Sequence, residues 1–189
     1  EQVDPEDTEL IVENRDAFRY IKDKGDQLDA ILLLTPPPST LALNRYYTTA
    51  FFDDIKERLV QGGIFMCSPG IWDNYPNKES ITLYSSVYNS LKEVFTNVKP
   101  IVGNKLYYIA SDNDLSASIC KLTGKRGIDN IYVGPDFLSD DLIENKSAEV
   151  ISLLDKSVRE NSTAFPIASF HFQSYLLSKH INEKGPAII

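Results

Sequence analysis

Acidic side chains are the first candidates for chemistry in this chain, because paired carboxylates can exchange protons or hold a cation. Two adjacent acidic pairs, Asp53-Asp54 and Asp140-Asp141, stand out among the 189 residues. Asp53 and Asp54 fall on the polar side of a predicted helix, and Asp140-Asp141 stands where another helix is expected to begin. Solvent exposure explains the first pair and helix capping the second, so neither pair is assigned to catalysis.

Metal-binding and nucleic-acid-binding chemistry have little support in the sequence. His171 and His180 are separated by nine positions, and Glu183 follows His180 at a helical interval, which is weak grounds for a metal site. Cys67 and Cys120 have apolar neighbours and are predicted to be small core residues. The formal net charge is −8, whereas phosphate binding requires clustered Lys and Arg side chains. We therefore expect no metal and no nucleic-acid partner.

Short strand-like runs alternate with helix-like segments over the first part of the chain. The near-continuous apolar run Leu28–Leu34 is typical of a strand buried on both faces of a parallel sheet, and Pro36–Pro38 should end it. Asp16 is predicted to cap the first helix, and Gly62-Gly63 to end the second. The predicted strands are 8–13, 28–34, 64–67, 98–102 and 106–110, and the predicted helices are 16–24, 48–60, 79–95, 142–154 and 167–177.

This alternation predicts an α/β fold with a mostly parallel sheet. The last two strands, which turn at Gly103-Asn104, suggest the mixed edge of a class I S-adenosylmethionine-dependent methyltransferase-type sheet, so we predict a partial Rossmann-like domain over 1–111. Residues 112–189 are expected to form a helical C-terminal appendage. No apolar run approaches the roughly 20 residues that span a bilayer. The chain does not begin with Met, which indicates a fragment, a processed protein or an engineered sequence.

One stretch carries a specific family resemblance. Residues 29–52 run Asp-Ala-Ile-Leu-Leu-Leu-Thr-Pro-Pro-Pro-Ser-Thr-Leu-Ala-Leu-Asn-Arg-Tyr-Tyr-Thr-Thr-Ala-Phe-Phe. This resembles the spermidine synthase (aminopropyltransferase) family, in which a buried strand runs into Asp-x-x-Asp-Pro, a small-residue loop, a Leu-Tyr-like pair and a Phe-Tyr-like pair. The segment 59–66 matches the family's Leu-x-x-Gly-Gly turn into the next strand. Segments 12–21, 104–111 and 161–166 also resemble the family, the last two its membrane-fused bacterial members.

The resemblance implies chemistry for which this chain lacks the side chains. Aminopropyl transfer needs an amine freed of its proton and anions that hold the polyamine's ammonium groups, and the family uses two aspartates at the strand end. Leu34 and Pro37 occupy those positions, and 30–42 contains no Asp or Glu. The family's glutamine after the next strand is also absent, with Cys67-Ser68 in that region. No catalytic residue is therefore assigned.

Cofactor binding is the second function that the resemblance implies. Sulfonium nucleosides are held by a Gly-rich turn after a first strand, and this sequence has no such turn. The resemblance makes Asp16 and Ala17 candidate adenine contacts, with helix capping by Asp16 as the alternative, and makes Tyr47 a candidate substrate-binding residue. A ligand should lie beyond the carboxyl ends of the strands, between 35–40 and 67–70. We expect no cofactor for this chain alone, and S-adenosylmethionine or its decarboxylated form in a longer protein.

Three functions remain open at this point. The first is a spermidine synthase-like domain without aminopropyltransferase activity of its own. The second is an S-adenosylmethionine-dependent transferase completed by residues outside the chain. The third is a non-catalytic binding or assembly module in the cytoplasm, as the soluble part of a membrane protein, since the end 185–189 is apolar. A missing central strand should leave an exposed sheet edge. The expected partners are therefore a small-molecule ligand and an oligomer that forms through that edge.

Overall fold

A four-stranded mixed sheet forms the centre of the protein. The computed structural model describes residues 9–23, 25–128, 130 and 132–183. The strands are β1 (Leu28–Leu32), β2 (Leu59–Ile71), β3 (Asn97–Val102) and β4 (Lys105–Ser111), in the spatial order β1-β2-β4-β3. β1 pairs with β2 in parallel, whereas β4 runs antiparallel to both of its neighbours. The α/β prediction with a mixed edge is therefore confirmed.

Helices connect and cover these strands. Side-chain caps accept backbone N–H groups at the starts of five of them, namely Asp16, Thr40, Thr48, Asn77 and Ser139. Short polar side chains in the sequence therefore determine where these helices begin. The helices are α1 (Ala17–Lys22), α2 (Leu41–Asn44), α3 (Thr49–Arg58), α4 (Lys78–Val94), α5 (Ile119–Arg126), α6 (Asp140–Leu153) and α7 (Ile167–Glu183), with a 3₁₀ turn at Arg45–Tyr47 after α2.

The core lies between one face of the sheet and the helices α3 and α4. Phe52 on α3 contacts Phe65 on β2, with ring centroids 5.5 Å apart, and both side chains are fully buried. Val87 and Leu91 on α4 are also fully buried, because the apolar positions of that helix recur at helical spacing. Each such side chain contributes roughly 1.5–3 kcal/mol through removal of apolar surface from water.

The strand predicted at 8–13 is wrong for the residues that the structure describes. Residues 9–14 have no regular secondary structure, and Thr8 lies outside the described residues. Leu10, Ile11 and Val12 are 86%, 70% and 82% exposed. Alternating apolar residues form a strand only where a neighbouring strand completes their backbone hydrogen bonds, and in the described part of the chain β1 pairs with β2 alone.

The predicted burial of 28–34 on both faces is also wrong. The strand ends at Leu32, which is 58% exposed, and Leu34 is 78% exposed, whereas Leu33 is buried. The reason is that β1 lies at the edge of the sheet and only one of its faces packs against the core. Among the described residues β1 has a neighbouring strand on one side only, and the oligomer expected through this edge stays a prediction.

Gly62-Gly63 does not end the second long helix, contrary to our expectation. α3 ends at Arg58, and Leu59 already begins β2, so both glycines lie inside that strand. Gly62 has a φ of +78°, and a Cβ there would lie 2.1 Å from the side-chain nitrogen of Asn113. The glycine is therefore required by a close approach within the sheet and by its left-handed backbone, not by a helix terminus.

The described residues after 112 contain three helices. α6 and α7 were predicted, although α7 is longer than expected, whereas α5 was not predicted. α6 packs on β3, and α7 packs along α4. Val150 and Ala168, from these two helices, belong to the same buried cluster as the sheet residues. The division into 1–111 and 112–189 stays a prediction. Within the described part of the chain, no helix combines the length and the apolar character needed to cross a membrane.

Candidate functional site

The carboxyl ends of β1 and β2 bring together the two segments that were expected to line a ligand site. A Cβ at Gly70 would lie 3.8 Å from the Pro37 side chain. The hydroxyl of Tyr47 lies 3.0 Å from the carbonyl oxygen of Pro36 and 3.0 Å from that of Ser68. The two segments are therefore neighbours, and a tyrosine hydroxyl links them.

Tyr47 is a fully buried residue in this arrangement. Burial raises the pKa of its phenol, so the hydroxyl keeps its proton and acts as a hydrogen-bond donor. That single proton is shared between two carbonyl oxygens of the neighbouring loops. Tyr47 therefore connects the two loops at the sheet end through hydrogen bonds. Its role in substrate binding stays a prediction.

Leu34 and Pro37 supply no charge at this end of the sheet. Leu34 projects onto the open face of the sheet, where it lines a cavity of about 280 Å³ together with Met66, Tyr107 and Ile109. Cys67 lies on the opposite, core-facing side and is fully buried, as predicted, and burial raises the pKa of its thiol. The surroundings of both strand ends are therefore apolar or neutral.

Asp16 caps α1, which confirms one of its two predicted roles. Its Oδ1 accepts hydrogen bonds from the backbone N–H groups of Phe18 at 2.8 Å and Arg19 at 3.3 Å. Its Oδ2 accepts a hydrogen bond from Arg45 at 2.6 Å, and that guanidinium lowers the pKa of the carboxyl. Ala17 lines a separate cavity of about 320 Å³ with Arg15. Both oxygens of Asp16 are engaged, and an adenine contact by Asp16-Ala17 stays a prediction.

The acidic pair Asp140-Asp141 also has a capping role. The two carboxylate oxygens of Asp140 accept hydrogen bonds from the backbone N–H groups of Cys120 and Lys121, each at 2.9 Å. This carboxylate therefore joins the start of α6 to the start of α5, as its expected position at a helix start allows.

Cys120 is only half-buried, so it is not the core residue that the sequence predicted.

A metal site was not expected from the sequence. Among the residues that the structure describes, no three His, Cys, Asp or Glu side chains form a group that could hold a metal ion. His171 is half-buried on α7, and burial lowers its pKa, which favours the neutral imidazole. The expectation of no metal stays a prediction.

The sequence model of the family described as spermine/spermidine synthase domain matches residues 2–109, which is more than half of the chain. This chain belongs to the spermine/spermidine synthase domain family. The match covers the segments 12–21, 29–52 and 59–66 that carried the resemblance and most of 104–111, whereas 161–166 lies outside it. The helices α5, α6 and α7 lie outside it.

Individual relatives agree with this assignment. A polyamine aminopropyltransferase of Oceanobacillus iheyensis is 28% identical over 140 residues, which cover 72% of this chain and 25% of the relative. Polyamine aminopropyltransferase 2 of Aquifex aeolicus is 27% identical over 96 residues, covering 51% of this chain and 18% of the relative. The chain thus spans a quarter or less of the length of these relatives.

A solved structure is also similar to this member of the family. It is a probable spermidine synthase from Corynebacterium glutamicum, with 14% sequence identity and a TM-score of 0.46. The similarity covers 78% of this chain and 52% of that protein.

The C-terminal helix lies across the strand ends of this spermidine synthase-like domain. Gln173 on α7 donates a 2.7 Å hydrogen bond to the carbonyl oxygen of Ser39, and a Cβ at Gly70 would lie 4.0 Å from the Phe172 ring. Lys179 binds Asp73, which follows β2, at 2.7 Å. The sequence pattern predicted the helix but not this placement, because helical periodicity does not indicate which surface a helix contacts.

The sequence indicated Asn161 only as part of the segment 161–166, which resembles the family. In the structure Asn161 contacts three separate parts of the fold. Its side-chain Nδ2 donates to the Tyr47 carbonyl oxygen at 2.9 Å, and its Oδ1 accepts from the Ala168 N–H at 3.1 Å. Its own N–H donates to Ser90 Oγ at 2.7 Å. Hydrogen bonds of Asn161 therefore connect α7 and α4 to the turn that contains Tyr47.

Proposed function

We propose that this chain is an aminopropyltransferase-like domain that does not itself transfer aminopropyl groups. The main support for the proposal is the lack of acidic side chains after β1. Leu34 and Pro37 occupy the positions of the two aspartates that the family uses. Leu34 is 78% exposed on the open face of the sheet, and neither side chain can accept a proton or bind an ammonium group. A polyamine substrate would therefore meet neither a base nor a counter-charge at this position.

Asp16 and Asp73, two other carboxylates that could attract a polyamine, are already engaged. Asp16 binds Arg45 and the N-terminus of α1, and Asp73 binds Lys179 at 2.7 Å and the Tyr175 hydroxyl at 3.2 Å. Freeing Asp16 would break the contact between α1 and Arg45, and freeing Asp73 would break the contact between the segment after β2 and α7. This supports the absence of a substitute for the missing aspartates.

A second candidate function is an S-adenosylmethionine-dependent transferase completed by residues outside the chain. Two observations favour it, namely the position of Asp16-Ala17 at the start of α1 and the open edge of β1, which leaves room for further strands. In that protein S-adenosylmethionine or its decarboxylated form would bind across the carboxyl ends of the strands. This chain alone would supply one side of the site.

A third candidate is an assembly module of a membrane protein, located in the cytoplasm. The open face of the sheet exposes apolar side chains, including Leu34 and Ile64. No strand among the described residues pairs with the outer side of β1. Cys67 and Cys120 are both free thiols, as is usual for proteins in a reducing compartment.

Sedimentation at increasing protein concentration tests the assembly. Association that is abolished by Ala30→Pro on β1 would support pairing through this edge, and a monomer at every concentration would oppose it.

The test of the main proposal is a direct assay. The chain is incubated with decarboxylated S-adenosylmethionine and putrescine, and spermidine is measured by mass spectrometry beside a no-protein control. The Oceanobacillus iheyensis polyamine aminopropyltransferase serves as the active reference. We expect no spermidine above the control, and turnover by this chain would overturn the proposal. Calorimetry with S-adenosylmethionine addresses the second candidate, since binding by a longer protein but not by this chain would favour it.

A further inference from the structure

A cavity of about 390 Å³ lies behind the Asp16–Arg45 ion pair, apart from the strand ends. Residues of α1, α2, the start of α3 and the segment 161–166 line it, and it opens to solvent. Its volume falls within the range of about 300–1,000 Å³ that is usual for small-molecule sites. Two lining residues are cationic and none is acidic, although Asp16 and Asp54 pair with these cations. The lining residues are Phe18, Lys22, Leu41, Asn44, Arg45, Thr48, Ala50, Thr163 and Pro166.

Asn44 brings an unused hydrogen-bond donor to this cavity. Its side chain is only 2% exposed, and its Oδ1 accepts a hydrogen bond from the Ser169 N–H at 3.0 Å. Because that bond fixes the orientation of the amide, Nδ2 points away from Ser169, and it donates to no residue in the described part of the chain. Since Asn44 lines the cavity, this donor is available to a ligand there.

Arg45, whose side chain is 43% exposed, also keeps N–H groups available for a ligand. Its Nη2 donates to Asp16 Oδ2 at 2.6 Å and to the Tyr46 hydroxyl at 2.8 Å. Its Nε and Nη1 donate to none of the described residues. A guanidinium presents its N–H groups in a fixed fork that matches a carboxylate, so these two donors are suited to a planar anion.

The remaining wall combines apolar surface with a second cation. The ammonium group of Lys22 lies 4.7 Å from the centroid of the Phe18 ring, and the Arg45 guanidinium lies 5.2 Å from the same centroid. Lys22 is 3.3 Å from Asp54 and has about half of its side chain exposed. Leu41 and Pro166 complete an apolar lining that would accept a hydrocarbon group.

We propose that this cavity binds a small monocarboxylate with an apolar body. Arg45 and the Nδ2 of Asn44 receive the carboxylate, and Phe18, Leu41 and Pro166 contact the hydrocarbon part. The charge of this ligand is opposite to that of a polyamine, which would find no carboxylate among the lining residues of the cavity. The site is thus distinct in both position and charge preference from the strand ends discussed above.

Three probes of similar size and different charge test the proposal by NMR titration of the isotope-labelled chain. They are hexanoate, hexanamide and hexylamine. We expect saturable binding of hexanoate with a Kd of about 1 mM, as its few heavy atoms allow, with shifts confined to residues around Asn44 and Arg45. Hexanamide should bind more weakly and hexylamine not at all. Absence of saturable hexanoate binding, or equal binding of hexylamine, would overturn the proposal.

Variants of the lining locate the binding site. Arg45→Gln should weaken hexanoate binding at least about tenfold, because a charge-assisted hydrogen bond is lost. Asn44→Asp keeps the acceptor for Ser169 but places a negative charge where the carboxylate should lie, so it should abolish binding. Arg126→Gln on α5 removes the same charge far from the cavity and should leave the affinity unchanged.

Asn44→Asp changes a buried amide and could prevent folding. A further variant therefore tests the site without changing that amide. Thr163 is exposed at the rim, and Thr163→Trp should fill the opening without altering any charge or buried hydrogen bond. Circular dichroism melting establishes that each variant is folded. Unchanged hexanoate affinity in both Arg45→Gln and Thr163→Trp would show that the probe binds elsewhere, which contradicts the assignment.

Discussion

The side-chain amide of Asn161 donates a hydrogen bond to the backbone carbonyl oxygen of Tyr47 across 2.9 Å, although 114 positions separate the two residues in the chain. The contact joins the segment that precedes α7 to the turn that precedes α3. Because the Tyr47 hydroxyl in turn links the two loops at the strand ends, the position of those loops depends on a residue far along the chain.

Replacing Asn161 with Ala should therefore destabilise the protein strongly. Asn161 is fully buried, and the change leaves the Tyr47 carbonyl and the Ala168 N–H without their partners. Each orphaned buried group costs about 1–3 kcal/mol, so we expect the free energy of unfolding to fall by about 2–4 kcal/mol in urea titrations. Asn145→Ala at an exposed position on α6 is the matched control and should change it little. Equal stability of the two variants would contradict the role given to Asn161.

Tyr47→Phe isolates the hydroxyl that links the loops. The change keeps the ring and its packing but removes the donor shared by the Pro36 and Ser68 carbonyl oxygens. We expect a loss of about 1–2 kcal/mol in the free energy of unfolding. Tyr75→Phe, at a side chain that is 96% exposed, removes an equivalent hydroxyl and should have almost no effect. If Tyr47→Phe proves as stable as that control, the hydroxyl has no linking role.

Acid should weaken the contact between α6 and the sheet. Glu144 on α6 binds Lys99 on β3 at 2.7 Å and the Ala117 N–H at 2.9 Å, and Lys99 lowers the pKa of its carboxyl below the ordinary value of 4.5. This stabilisation is complete above the unfolded pKa and is lost as the pH falls through the lower pKa of the folded state. Since the pair is partly exposed, its share is less than about 1 kcal/mol.

The measurement is urea unfolding as a function of pH. Glu144→Gln should lower stability at pH 7 and reduce the decline in stability below about pH 4.5, because the group whose protonation weakens the contact is gone. Glu149→Gln on an exposed position of the same helix is the control for a general change in net charge. A decline that is identical in wild type and Glu144→Gln would show that other carboxylates account for it.

Local patterns in the sequence were sufficient for much of the fold. The turn Gly103-Asn104 and its flanking apolar residues predicted the pair β3–β4, and the helical spacing of Leu83, Val87 and Leu91 predicted α4. Both features depend on residues close in sequence. The prediction of a strand at 8–13 was wrong because it could not be decided from nearby residues. A strand exists only where another strand, often distant in sequence, pairs with it.

The site was predicted less completely than the fold. Segments 35–40 and 67–70 lie together as expected, since carboxyl ends of parallel strands share one edge of a sheet. The ion pair of Arg45 with Asp16 and the placement of α7 over Ser39 could not be predicted, because each joins elements that are distant in sequence. Asn44 is a further example, since its importance depends on a hydrogen bond to Ser169.

Restoring the missing carboxylates tests how the chain is aligned with its family. Leu34→Asp combined with Pro37→Asp should raise the affinity for spermidine, because each new ion pair contributes on the order of 1 kcal/mol at an exposed site. The exposure of Leu34 means that the first change removes little buried apolar surface. Leu32→Asp combined with Pro36→Asp adds the same charge at neighbouring exposed positions and serves as the matched control. Calorimetry with spermidine at low salt measures both. Equal affinities in two folded variants would mean that positions 34 and 37 do not correspond to the aspartates of the family, and the explanation offered for the absence of transfer would then fail.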